Sequence, residues 1–194
     1  MNRSNNLRFQ KTEQRILDCA VHLLETEPDS VLTVSAVCEE LSINRSSFYI
    51  HHRSIQSVLD AIQTRYHAEH LEQLARENVL SEESPTAAAI RLCIDFILER
   101  HSFYAYYAKY SGNHSLLGQH SLECLELLTP GIQSCFALSD SQLAYLGEFI
   151  QGGIVAVMKR SLSGSREDSA EEIGELFAAI IRPLEEQVRE NSLP

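Results

Sequence analysis

The 194-residue chain contains no run of about 18 apolar residues, so it offers no segment able to cross a bilayer as a helix. Its polar start, Met1-Asn-Arg-Ser-Asn-Asn-Leu-Arg8, does not lead into a signal-peptide core, and the expected location is the cytoplasm. Alternating apolar and polar runs bounded by turn residues are missing too, which leaves little room for strands. Internal repeats and low-complexity segments are absent. There is no Gly-rich phosphate loop, no Gly-x-Ser-x-Gly elbow and no recognisable pairing of a nucleophile with a base, so an enzyme is not expected and no cofactor is called for. His67 and His70 share a helical face, but no third ligand follows at metal spacing; they read as a surface pair, and no metal is expected. The five cysteines, Cys19, Cys38, Cys93, Cys124 and Cys135, are odd in number and widely spaced. That pattern suits reduced thiols acting as small core residues, not a disulfide framework.

Positive charge is in short supply: 16 Lys and Arg stand against 27 Asp and Glu, for a net charge of -11. The deficit is unevenly placed. Residues 1–53 carry six basic and seven acidic side chains, whereas the remainder carries ten and twenty. The acidic excess therefore lies toward the C-terminal region, where it would repel a polyanion and help turn the N-terminal region toward it. Arg3, Arg8 and Lys11 form a basic stretch with no acid among them. It reads either as a tail that reaches phosphates or as a solubilising terminus.

What is present is helical periodicity from end to end, with 44% apolar residues to build a core, and the fold class is all-α. From Thr12 to Thr26, Ile16, Leu17, Ala20, Val21, Leu23 and Leu24 make one apolar stripe, closed by Pro28-Asp29-Ser30. From Thr33, Val34, Val37, Cys38 and Leu41 make a second, with Ser35, Glu39 and Glu40 on the other side. Ser42-Ile43-Asn44 then forms a tight turn, and Asn44 is placed to cap the next helix. That helix and its exit carry Arg45, Ser46, Ser47, Tyr49, His51, His52 and Arg53. A solvated helix would use Glu and Lys; short hydroxyls, an Arg, a Tyr and two His suit close approach to phosphates and base edges. Three such helices make a helix-turn-helix head over residues 1–53, with its last helix in the major groove of double-stranded DNA.

The string Ile16-Leu17-Asp18-Cys19-Ala20, then Leu23-Leu24, Thr33-Val34, Val37-Cys38 and Asn44-Arg45-Ser46-Ser47-Phe48-Tyr49-Ile50-His51, resembles the N-terminal domain of TetR-type (TetR/AcrR) transcriptional regulators. The resemblance is strong over about the first sixty residues and loose beyond. It implies that Tyr49, His51 and Thr33 contact phosphates; by residue type and position, Ser35, Asn44, Arg45, Ser46, Ser47, His52 and Arg53 join them in the expected DNA-binding surface. The Asn-Arg-Ser-Ser-Phe-Tyr form is further similar to a branch with a Gly-Gly C-terminal helix, here Gly152-Gly153. Three positions depart from the family pattern. His52 follows His51 where an aromatic is usual, Ile55 stands where a Lys commonly opens the fourth helix, and Ser42 replaces a common turn glycine. Loss of that Lys removes a contribution to counterion release.

Residues 54–194 read as a helical regulatory and dimerisation domain. Val58, Leu59, Ile62 and Tyr66 begin a long helix that leads out of the head as a lever, and Pro85 opens the next after a break at 81–84. Breaks at 111–113 and 129–131 bracket a shorter helix with Leu116 and Leu125. His101, Phe103, Tyr104, Tyr107 and Tyr110 combine rings with polar tips and are the candidate lining of a small-molecule effector site, or else plain core. Leu146, Phe149, Ile150, Gly153, Ile154 and Val157 on one helix, with Ile173, Phe177 and Ile180 on the last, form stripes that would pair two copies as a four-helix homodimer interface, or close the subunit's own core. Gly152-Gly153 suggests a close approach of helices, and Pro183 should kink or interrupt the last one. The functional reading is a repressor that binds a near-palindromic operator as a homodimer and is released by a small molecule. Beside it stands a TetR-like co-activator or partner-binding protein with weak or no DNA binding.

Overall fold

The computed structural model describes residues 3–79, 85–110, 139–163 and 170–191, and among them it is all helical, with no strand. The helices are α1 (Arg3–Thr26), α2 (Val34–Glu40), α3 (Arg45–His51), α4 (Ile55–Glu77), α5 (Pro85–Glu99), α6 (His101–Tyr110), α7 (Asp140–Ser163) and α8 (Ala170–Asn191). The helix expected around Leu116 and Leu125, together with Cys124 and Cys135, lies outside the described residues. The chain divides into two compact units, one of Met1–His67 with Ser102–Ser111 and the other of Ala68–His101 with Gly112–Pro194.

In the first unit, α1, α2 and α3 pack on one another around Ile16, Leu17, Ala20, Leu24, Val37, Cys38 and Phe48, all buried. Of the periodic positions, Ile16, Leu17, Ala20, Leu24, Val37 and Cys38 fill this core, while Val21, Leu23, Val34 and Leu41 are only partly covered. α2 ends in a Schellman arrangement: Ile43 N donates to Cys38 O at 2.9 Å and Ser42 N to Glu39 O at 3.1 Å. That closure needs a left-handed residue, and Ser42 supplies it with φ 53°. A side chain there costs about 1–2 kcal/mol over glycine's freedom, which the two closing hydrogen bonds help to offset. α1 begins at Arg3, well before Thr12, so the basic stretch of Arg3, Arg8 and Lys11 is helix and not a tail. Thr12 Oγ1 donating to Arg8 O at 3.1 Å lies within that extension. Across the same unit, Arg65 of α4 pairs with Asp18 of α1 at 2.7 Å.

The second unit is built on α5, which packs against α8 and α7 through a core of Ile90, Ile94, Phe96, Ile97, Ile154, Met158, Ile173, Phe177 and Ile181. Close helix approach falls at Gly174, where a Cβ would lie 3.0 Å from Arg91 Cγ. Within the chain, Gly152 faces open space and Gly153 has ordinary contact distance to the Phe177 ring. Pro183 does not interrupt α8, which continues to Asn191. One missing donor in an otherwise continuous ladder is compatible with a helix held by its packed face. His70 is fully buried and stacked on Phe96 at 4.5 Å, so it is a core histidine, whereas a surface pair with His67 was the expectation.

Candidate nucleic-acid interface

Both short helices of the turn are held at their starts by side-chain caps. Thr33 accepts from Ala36 N at 3.1 Å to open α2, and Asn44 accepts from Ser47 N at 2.7 Å to open α3. Each cap satisfies a backbone donor that the helix itself cannot, and is worth about 1 kcal/mol. Ser46 Oγ also donates to Asn44 Oδ1 at 2.9 Å. Arg45 Nη2 donates to Ser35 Oγ at 2.6 Å, tying the first residue of α3 to the outer side of α2.

Burial divides α3 into two sides. Phe48 is fully buried, Ser47 and His51 are partly covered, and Arg45, Ser46, Tyr49 and Ile50 are exposed. With Thr33, Ser35, Asn44 and Arg53 also exposed, seven of the ten expected DNA-contacting residues other than Ser47, His51 and His52 lie on solvent-facing positions. The two histidines turn inward. His51 Nδ1 is 2.8 Å from Glu13 Oε2, and its ring lies tilted against Phe9 with centroids 4.1 Å apart. His52 is 5% exposed, and its Nε2 lies 3.1 Å from Glu13 Oε1 without hydrogen-bond alignment. One carboxylate of α1 thus serves both rings, which explains why neither occupies the outward face expected of it. Arg53 stays free of that arrangement and exposed.

Burial lowers the His52 pKa from 6.5; Glu13 opposes that shift, His51 adds to it and a backbone contact at Ser57 opposes it. The folded state therefore binds the proton less readily than the unfolded chain. Stability is fully present above about pH 6.5 and falls as pH drops from there toward the lowered folded value. The melting temperature should accordingly decline below pH 6.5 in the wild type and decline less in His52→Gln. Parallel profiles for the two proteins would refute the role of His52.

The ring residues of α6 join the first unit. Phe103 packs edge-on against Tyr66 of α4 at 5.2 Å and near Tyr107 at 5.7 Å, and Tyr104 lies 6.3 Å from Tyr66. Tyr107 Oη donates to Asp60 Oδ1 at 3.2 Å. Phe103, Tyr104 and Tyr107 are buried, Tyr110 is exposed and lies 4.4 Å from the Tyr106 ring, and His101 falls in the other unit. Tyr106, absent from the expected set, makes the most consequential contact: its hydroxyl accepts from Leu32 N at 3.0 Å, one residue before the Thr33 cap. Nothing local in the sequence signals a partner so far along the chain.

The expected pairing residues also divide. Ile154, Ile173 and Phe177 are buried in the second unit's own core, while Phe149 and Ile180 are exposed and Leu146, Gly153 and Val157 are partly covered. The side chain of Ile150 lies outside the described ones. Phe149, Gly153, Val157, Leu176 and Ile180 line an apolar groove between α7 and α8. Among the described thiols, Cys19, Cys38 and Cys93 are buried and outside any disulfide, and burial pushes the Cys19 pKa up to about 11, which keeps that thiol protonated.

No protein-family model matches the chain, and no curated protein does. A solved structure described as the dihydroxyacetone kinase operon activator DhaS superposes with a TM-score of 0.70 at 16% identity, covering 91% of this chain and 97% of that one. The two share a fold. A helix-turn-helix head followed by further helices is the architecture that this likeness and the helix order support. No helix among the described residues is long and apolar enough to cross a membrane.

Proposed function

We propose that this chain is a TetR-type transcriptional regulator that reads double-stranded DNA with α3. The observation that carries the reading is the outward side of a capped, firmly seated helix. It presents Arg45, Ser46 and Tyr49 together with the exposed Thr33 and Ser35 at the start of α2. Such a surface offers donors to phosphates and base edges without the carboxylates that would repel them. The exposed apolar side chains of α7 and α8, Phe149 at 64%, Leu176 at 58% and Ile180 at 48%, support pairing of two copies, so that two heads read a near-palindromic operator. Family resemblance adds release by a small-molecule effector.

Selection from random duplexes at low salt, with the full-length chain, tests the reading. Enrichment of a near-palindrome is the expected result, and failure to bind any duplex would overturn it. Tyr49→Ala should weaken selected and unrelated duplexes alike by about ten- to a hundredfold, as loss of a hydrogen bond to a charged phosphate does. Arg45→Ala should instead relax preference at one base pair.

The direction of control has a second reading. Repression follows from the family resemblance, whereas the fold neighbour is described as an operon activator, which favours activation. A reporter behind the selected sequence separates them: removing the regulator raises expression under repression and lowers it under activation.

A further inference from the structure

The outward side of α3 is polar except at one position. Ile50 is 69% exposed, a branched aliphatic side chain standing among Arg45, Ser46 and Tyr49. Residues four apart share a helical face, so Ser46 and Ile50 form one column beside that of Arg45 and Tyr49. Two polar members of this face are already engaged within the protein, since Arg45 reaches Ser35 and Ser46 reaches Asn44. Ile50 sits a turn further along, where the folded chain gives its apolar surface little cover.

Of the groups displayed in the major groove, only the C5-methyl of thymine is apolar, and an aliphatic side chain recognises it by contact alone. We propose that Ile50 is a specificity-determining residue that reads thymine methyl groups in the operator. The inference rests on the DNA-binding reading of α3. It adds that the selected site carries thymine at a position where no hydrogen bond from the protein is needed. The chemistry also sets the selectivity: a base pair without the methyl offers Ile50 nothing in return for desolvation.

The test replaces each thymine of the selected duplex by deoxyuridine, which removes the methyl and keeps the pairing, and measures the Kd of the full-length wild type and of Ile50→Ala. In the wild type, at least one replacement should weaken binding about fourfold, the loss expected for one buried methyl-sized group. In Ile50→Ala the thymine duplex should be weakened by a similar factor, and the same replacement should have no further effect. Because Ile50 is exposed, the variant should keep the wild-type melting temperature, which excludes misfolding as the cause. Full sensitivity to deoxyuridine in Ile50→Ala, or none at any position in the wild type, overturns the role of Ile50 while leaving DNA binding intact. Absence of any enriched duplex overturns both.

Discussion

Phe48→Ala should cost about 3–5 kcal/mol and abolish DNA binding, the range seen when a large aromatic is truncated in a packed core. Phe48 has no exposed surface, meets the Tyr49 ring edge-on at 5.6 Å and lies 6.0 Å from the His52 ring. It is the one fully buried side chain of α3, so it holds that helix against α1 and α2. A cavity here cannot be closed cheaply, because α3 spans only seven residues and has few other apolar anchors. Total stability of a domain is about 5–15 kcal/mol, which makes the expected loss a large share of it. Denaturant unfolding and a binding titration on the same preparation check the prediction. A loss below about 1 kcal/mol with binding retained would show that α3 is seated by something other than Phe48.

Tyr106→Phe should cost about 1–3 kcal/mol although it removes only one oxygen. Leu32 N donates to Tyr106 Oη at 3.0 Å, and Leu32 and Tyr106 are both only 6% exposed. Burial also raises the Tyr106 pKa, so the hydroxyl stays protonated and accepts through its lone pairs. Without that acceptor the Leu32 amide is left buried and unmatched, where water reaches it poorly. Because the bond ends beside the Thr33 cap, the loss should reach the start of α2 as well. Amide hydrogen exchange reads this directly: Leu32 and the first turn of α2 should exchange faster in Tyr106→Phe, with a lower melting temperature. Unchanged exchange at Leu32 would mean that another acceptor replaces the hydroxyl.

Placement of the histidines shows where local pattern stops. His51 and His52 follow Tyr49 in a helix full of hydrogen-bonding residues, and composition alone assigns all of them to the outward side. Glu13, in another helix, draws both rings inward. A carboxylate one helix away has no periodic signature, so only the packed structure could reveal it. The rings of α6 follow the same logic: their spacing suggests a ligand pocket or a core, and only the packed structure supplies Tyr66 and Asp60 as neighbours of Phe103 and Tyr107. The stripes of α7 and α8 were legible as apolar, but which members close the second unit's own core and which stay exposed depends on where α5 lies.

By itself the sequence determined the all-helical class, the turn at Ser42, the cap at Asn44 and the core positions Ile16 and Val37. These are decided by neighbours within about one turn of chain, through periodic burial and backbone donors that need a nearby acceptor. Tertiary structure alone decided the Glu13 bridge to His51 and His52, the Tyr106 bond to Leu32 and the contact of Gly174 with Arg91. Each joins groups far apart along the chain, and such pairs are chosen by shape and desolvation once the helices have packed, not by any local preference.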